Sequence, residues 1–326
     1  MAAAKLCRNW GISRRSRSHF AFNGLKCNEP VGTRLQIPDF ALPSFVRELT
    51  RRLFANPWLL LTLTCLFWGG NVIAARTAID NISPISLVTG RWAITCAILF
   101  LTSRHAFVAD IPVMRPHLWR IVLGAVCGFG IYHSLYYVSA HYTTGVNLSI
   151  LQGVTPIFVF LGAWLLWRTR VTAWQAIGCA MTILGILIIG TQGDLSALRD
   201  LRFNIGDIGI LFASACYAAY SLTLRNRPKA SSFGYFFALG IVAVLVSLPV
   251  LAVEMSRGQT FWPTPQGWIV LLYVAIFPTL LAQVFYLRSV ELVGPGRATL
   301  FYNMTPALGA LLAAMFLREP LALYHV

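Results

Sequence analysis

The chain has 326 residues, 57% of them hydrophobic and only 11% charged, with a mean hydropathy of +0.67. A soluble domain of this length carries roughly twice that charged fraction to cover its surface, so a water-soluble enzyme is excluded at the outset. The formal charge of +15 does not make a nucleic-acid face either. Its basic residues gather before the first apolar run and in short connections between later ones, where positive charge sets membrane orientation.

Residues 1–56 read as a basic, largely disordered extension. Its first 52 residues hold ten Lys or Arg against Glu29, Asp39 and Glu48, with no apolar period. It is not a secretory signal, because the first apolar stretch is 22 residues long and lies beyond position 56. A transit segment and sequence upstream of the true start both stay open. From there, uncharged runs long enough to cross roughly 30 Å of hydrocarbon as helix follow one another. Spans are predicted over 58–79, 84–102, 117–139, 144–167, 173–190, 207–225, 232–253, 267–290 and 296–317. The 47-residue uncharged run between Arg120 and Arg168 would be about 70 Å as one helix, so it is divided at His141 to Thr144. Backbone groups in lipid must be satisfied within each segment. The fold class is therefore an all-α polytopic membrane bundle.

Basic residues sort the connections onto two faces. The N-terminal region, Arg104, Arg115, Arg120, Arg168, Arg170, Arg225, Arg227, Lys229, Arg288 and Arg297 share one side. The other has few, with Asp80 and Asp194 among its acids, so the N-terminus is expected in the cytoplasm. Five of the seven cysteines (Cys65, Cys96, Cys127, Cys179 and Cys216) lie within spans, without metal or redox spacing, and read as small buried hydrophobes.

The chain also repeats itself. A shift of 150 lays Tyr136 on Tyr286, Ser139 on Ser289, Thr155 on Thr305, Pro156 on Pro306 and Arg168 on Arg318, while a shift of 149 lays Trp68 on Tyr217 and Arg76 on Arg225. Two five-helix repeats are expected, 57–191 and 206–326, the second truncated after its fourth helix. Since five is odd, the copies enter the membrane from opposite sides. The register maps Trp174 and Gln175 onto Tyr324 and His325, just before Val326, so a tenth helix is missing from this chain. A fragment of a longer product is the expected reason.

Phe67-Trp68-Gly69-Gly70-Asn71 with Arg76, Ser83-Pro84 and Arg91-Trp92 resemble the opening of the EamA domain of the drug/metabolite transporter superfamily. Gly294-Pro295-Gly296-Arg297-Ala298, Tyr302-Asn303, Thr305-Pro306 and Phe316-Leu317-Arg318-Glu319-Pro320 resemble the end of its second copy. The resemblance covers about residues 57–326. It implies ten helices, both termini cytoplasmic, and export or uptake of small metabolites. The chain departs from the family in the missing last helix and in Thr169, which stands where the second copy has Glu319.

A substrate cavity is expected from Trp68, Asn71, Tyr132, His133, Tyr136, Asn147, Gln152, Tyr217, Gln283, Tyr286, Tyr302 and Asn303. Polar tips in hydrocarbon need partners, and either a wet cavity or neighbouring helices supply them. Pro156 and Pro306 are read as interior helix breaks that either expose carbonyls or bend a span. Arg76, Asp80 and Arg91 are placed at the cavity lip, as an ion pair or as snorkelling arginines. No metal cluster, nucleotide loop or hydrolytic triad points to catalysis, and no cofactor is expected. The function read from this is secondary transport, with export favoured, of a small metabolite such as an amino acid by alternating access. A proton-coupled drug or cation exporter and a non-transporting scaffold are the alternatives. The partners are that metabolite and the lipid bilayer, with no nucleic acid and with room for a homo-oligomer. A bacterial inner membrane is the expected location.

Overall fold

The computed structural model describes residues 52–168, 177–178, 180–181, 184, 204–293, 301 and 304–318, all within the unit Pro38–Val326. The expectations for the N-terminal extension before residue 52, for most of the fifth span, and for Tyr302 and Asn303 fall outside these residues.

Local chemistry starts most helices where the polar-to-apolar boundaries lie. Helix α1 (Pro57–Ala78) is capped by Asn56, whose side chain accepts from the Trp58 and Leu59 amides at 3.1 and 3.2 Å. Its first residue is a proline, whose missing N–H would be unbonded there in any case. Helix α2 (Pro84–Met114) also opens on a proline, behind Ser83, whose side chain makes no cap bond to the helix amides. It runs past the predicted end at 102, because nothing in Ser103 to Ile111 breaks a helix; its 31 residues reach about 46 Å, more than the hydrocarbon needs. The exposed Arg104 and His105 belong to that overhang.

A 3₁₀ turn at Arg115–His117 leads into α3 (Leu118–Ala125), a π-helical segment at Val126–Ile131 and α4 (Tyr132–Ser139). Taken as one straight rod, Arg91 and Tyr137 would stand about 70 Å apart. They are hydrogen-bonded at 2.7 Å, so α2 and α3–α4 are two antiparallel passes.

Helices α5 (Gly145–Gln152) and α6 (Thr155–Trp167) form the next pass, broken at Gly153 and Val154. Pro156 is therefore not an interior proline. It sits in the first turn of α6, where no intrahelical amide bond is lost. Beyond residue 204 come α7 (Ile205–Thr223), α8 (Ser232–Ser256), α9 (Pro265–Val274), a second π-helical segment at Ala275–Leu281, α10 (Ala282–Val293) and α11 (Met304–Leu317). Pro306 likewise lies in the first turn of α11. Arg168 and Arg318 follow α6 and α11 in the left-handed conformation, at φ of 51° and 53°.

Six helical segments among the described residues are long and apolar enough to cross a membrane, and α11 is a shorter apolar helix. The protein is an all-α, multi-pass integral membrane bundle. Helix α1 packs against α9, α10 and α11, while α7 packs against α3, α4, α5 and α6. Helices α2 and α8 lie against each other and are tied at both ends. Glu254 of α8 accepts from Ser83 Oγ at 2.9 Å and the Ile85 amide at 3.3 Å, and Asp110 of α2 accepts from the Ser231 amide at 2.9 Å and from its hydroxyl. Each carboxylate faces the positive end of the partner helix.

The α1–α11 crossing depends on missing side chains. A Cβ on Gly69 would come within 3.1 Å of the Gly309 backbone nitrogen, and one on Gly309 within 2.7 Å of Ser149 Oγ on α5. Without a hydrophobic drive between helices in lipid, such backbone approach is what holds them. Gly69→Val should therefore lower the thermal unfolding temperature in detergent by several degrees, reflecting an overpacking cost of about 1–3 kcal/mol. Leu101→Ala, at a side chain 77% exposed to the lipid side, should leave it nearly unchanged.

Candidate functional site

The interior of the bundle is polar where the π-helical segment Ala275–Leu281 passes α1 and α2. Pro278 has no amide proton, so the Val274 carbonyl four residues earlier loses its normal donor. The π turn that starts there hands the carbonyl to the amide five residues on, that of Thr279, and the Thr279 hydroxyl donates to it as well, at 2.6 Å. Two neighbouring carbonyls of the segment are met from the other half of the chain: Trp68 Nε1 donates to the Pro278 oxygen at 2.9 Å, and Thr95 Oγ1 to the Ala275 oxygen at 3.3 Å.

With its proton committed to Val274, Thr279 turns its lone pairs toward Arg91. The guanidinium is 2% exposed; Nε and Nη2 donate to Thr279 Oγ1 at 2.9 and 2.5 Å, and Nη1 to the Tyr137 hydroxyl at 2.7 Å. Tyr137 in turn donates to Asn71 Oδ1 at 2.7 Å. A chain of hydrogen bonds thus runs from α1 through α4 and α2 into the second π segment. Arg91 does not stand at a lip beside Asp80, as its charge pattern suggests. It begins two helical turns inside α2 and points into the bundle, whereas Asp80 is exposed in a turn at φ 63°. Arg76 Nη1 donates to the Ala140 and Thr143 carbonyls at 2.6 and 3.1 Å, tying α1 to the turn after α4.

Aromatic rings line the same region. Trp68 of α1 meets Tyr286 of α10 at 5.6 Å between centroids, and Tyr132 of α4 meets Tyr217 of α7 at 4.9 Å. Tyr132 also donates to Gln152 Oε1 at 2.9 Å and touches His133 and Tyr136. His133 holds the Phe129 carbonyl through Nδ1 at 3.0 Å and packs edge-on against Trp92. The structure thus brings Trp68, Asn71, Arg91, Tyr132, His133, Tyr136, Gln152, Tyr217 and Tyr286 into linked contacts. Asn147 and Gln283 are half-buried on α5 and α10, the former with its amide capped by Thr144 at 3.1 Å. Thr279, Thr95 and Trp92 join these contacts although the cavity residues expected from sequence omit them, and Tyr137 shares the helix face of Tyr132, His133 and Tyr136 that the sequence points to. The signal for the threonines was Pro278, which leaves a carbonyl to be satisfied mid-span.

Among the described residues no group of three or more His, Cys, Asp or Glu side chains could hold a metal ion. The sequence profile of the EamA-like transporter family matches residues 56–191 and again 204–326, and the chain belongs to that family. It is similar to the uncharacterized transporter YyaM of Bacillus subtilis (strain 168), 23% identical over 83% of this chain and 89% of that one. It is also similar to the uncharacterized inner membrane transporter YedA of Escherichia coli (strain K12), 22% identical over 76% and 78%. A solved crystal structure described only as that of a protein shares the fold, with a TM-score of 0.56 and 15% identity over 82% of this chain and 90% of its own.

Thr279→Val removes both the donor to Val274 and the acceptor of Arg91 while keeping the side-chain shape. Unfolding in detergent should show a loss of about 1–3 kcal/mol, the cost of leaving buried polar groups unpaired. Thr62→Val, at an exposed hydroxyl bonded only to the Trp58 carbonyl, should change little.

Proposed function

We propose that the protein is a secondary transporter that exports a small metabolite, such as an amino acid or related compound, by alternating access between two inverted repeats, 57–191 and 206–326. One observation carries the reading: the first helix of each repeat packs on the third and fourth passes of the other, α1 on α9–α10 and α11, α7 on α3–α4 and α5–α6. Such reciprocal contacts are what a pseudo-twofold axis in the membrane plane produces.

Four further features support it. The π segments begin 149 residues apart and end 150 apart, at Val126–Ile131 and Ala275–Leu281, so the extra residue of the second accounts for the change of shift along the chain. The left-handed Arg168 and Arg318 are 150 apart. Pro116 and Trp119 match Pro265 and Trp268 at 149. The family profile fits twice. On this reading the chain crosses nine times, the fifth crossing lying at 173–190. Its N-terminus is cytoplasmic by the distribution of basic residues, and its membrane is a bacterial inner membrane, as the description of YedA suggests.

Coupled exchange of cations for protons would want a carboxylate in the middle of a span. Among the described side chains, Asp207 caps the start of α7, Glu254 and Asp110 lie near the ends of α8 and α2, and Asp80 is in a turn. That favours a metabolite over a cationic drug.

In vesicles reconstituted with the protein and preloaded with unlabelled amino acids, uptake of the labelled compounds should saturate and exceed that of empty vesicles. Absence of saturable flux across a broad metabolite panel would leave the scaffold reading. In a background lacking native cysteines, a cysteine at position 80 should react with an impermeant reagent from outside and one at 229 should not. The reverse pattern would overturn the topology.

A further inference from the structure

We propose that Arg91 is the anchor for a carboxylate of the transported compound, so that the site takes amino acids or other carboxylic acids and not their neutral analogues. This rests on the transport reading and names its substrate class.

Arginine has five N–H donors and a permanent charge. Here three donor contacts go to two neutral hydroxyls, Thr279 and Tyr137, and the Asp80, Asp110, Asp207 and Glu254 carboxylates are all engaged or exposed elsewhere. Two N–H groups and the whole charge are thus left over among the described residues, at a side chain 2% exposed. A buried charge without a counter-charge is costly, and a bundle assembled only for packing has no reason to keep one. The two hydroxyls are also oriented: each gives its proton away, Thr279 to Val274 and Tyr137 to Asn71, so both hold the guanidinium with lone pairs and fix its plane. A fork held in place beforehand is the geometry that a carboxylate reads.

A second observation points the same way. Trp92 Nε1 is buried without a hydrogen-bond partner among the described residues, and the buried Tyr136 hydroxyl has only Asn71 and Gln152 near it, in no well-formed bond; both side chains are 1% exposed. Trp92 lies under the guanidinium at 5.8 Å, and Tyr136 packs against Tyr137, which lies at 5.6 Å from it. An unspent donor beside an unspent cation, in a cluster that also contains half-buried Asn71, Tyr132 and Gln152, suits an oxyanion and leaves neutral groups of the compound to the aromatic rings.

The test compares the intact protein with Arg91→Gln and Arg91→Lys in vesicles and in detergent, using the twenty amino acids, their amides and inorganic phosphate as probes. For the intact protein, amino acids should compete for flux and raise the unfolding temperature, and the amides should do neither. Arg91→Gln should weaken amino-acid binding by about 100-fold or more, as loss of one partner of a buried charge pair does, with Arg91→Lys in between. Without ligand, the unfolding temperature of Arg91→Gln should equal or exceed that of the intact protein, because a costly charge is gone. Equal response to acids and amides, or unchanged KM in Arg91→Gln, would overturn the proposal while leaving transport intact. A ligand-free Arg91→Gln that unfolds far earlier would make Arg91 structural, and a response to phosphate alone would overturn the carboxylate. Flux of no compound at all would instead remove the transport reading on which the proposal stands.

Discussion

A carbonyl in the middle of a membrane has no water to turn to, and Pro278 takes from the one at Val274 the amide four residues on that an α-helix would supply. Much of the interior follows from how that debt is met. The chain widens into a π turn that brings both the amide and the hydroxyl of Thr279 to that carbonyl, and Trp68 and Thr95 reach across from α1 and α2 to two nearby carbonyls. Because a hydroxyl that has given its proton can only accept, Thr279 becomes a seat for a cation, and Arg91 occupies it. One absent N–H thereby joins the two halves of the chain and sets a charge in the bundle interior.

Holding such a charge needs a frame that does not relax around it. The frame is built from close backbone crossings, Gly69 on Gly309 above all, and from the α2–α8 pair, fastened by Glu254 at one end and Asp110 at the other. Packing in lipid is won by dispersion and hydrogen bonds, not by exclusion of water, so small residues and end caps carry more of the stability than large apolar side chains do. The outward-facing Leu101, Phe212, Ile269 and Phe316 are exposed for that reason: lipid tails are their solvent.

The uncharged apolar runs place the described passes to within a few residues at most ends, because a span must be apolar along its length. The overhang of α2 was not legible, since Arg104 ends an apolar window without ending a helix. Pro156 and Pro306 were placed in helix interiors because their runs are uninterrupted in composition; the break at Gly153 and Val154 is a backbone event that leaves no polarity signal. In the site, the ring-bearing residues were legible as polar tips in apolar sequence. Arg91 was not, because an arginine two turns from a helix start can equally snorkel or turn inward. What decides is Thr279, 188 residues away, and a single sequence carries no trace of that pairing.

The proposed repeat sharpens what Arg91 means. At the shifts that align the two copies, its counterpart is Leu239, judged from the paired caps Ser83 and Ser231; Asn71 falls on Tyr220, Thr279 on Gly130 and Tyr137 on Leu287. Every member of the network is thus replaced in the other copy, three of them by residues with no polar side chain, and Leu239 is 1% exposed in the apolar core. Backbone features survive the duplication, as the π segments and left-handed arginines do, while the charge does not. On the proposed repeat, two halves that share a frame but not a charge would exchange roles as gates while Arg91, among the described residues, stays the buried cation offered to a ligand. A compound with one acidic end would then keep the same orientation in the site whichever gate is open, since only the frame is symmetric and the anchor is not.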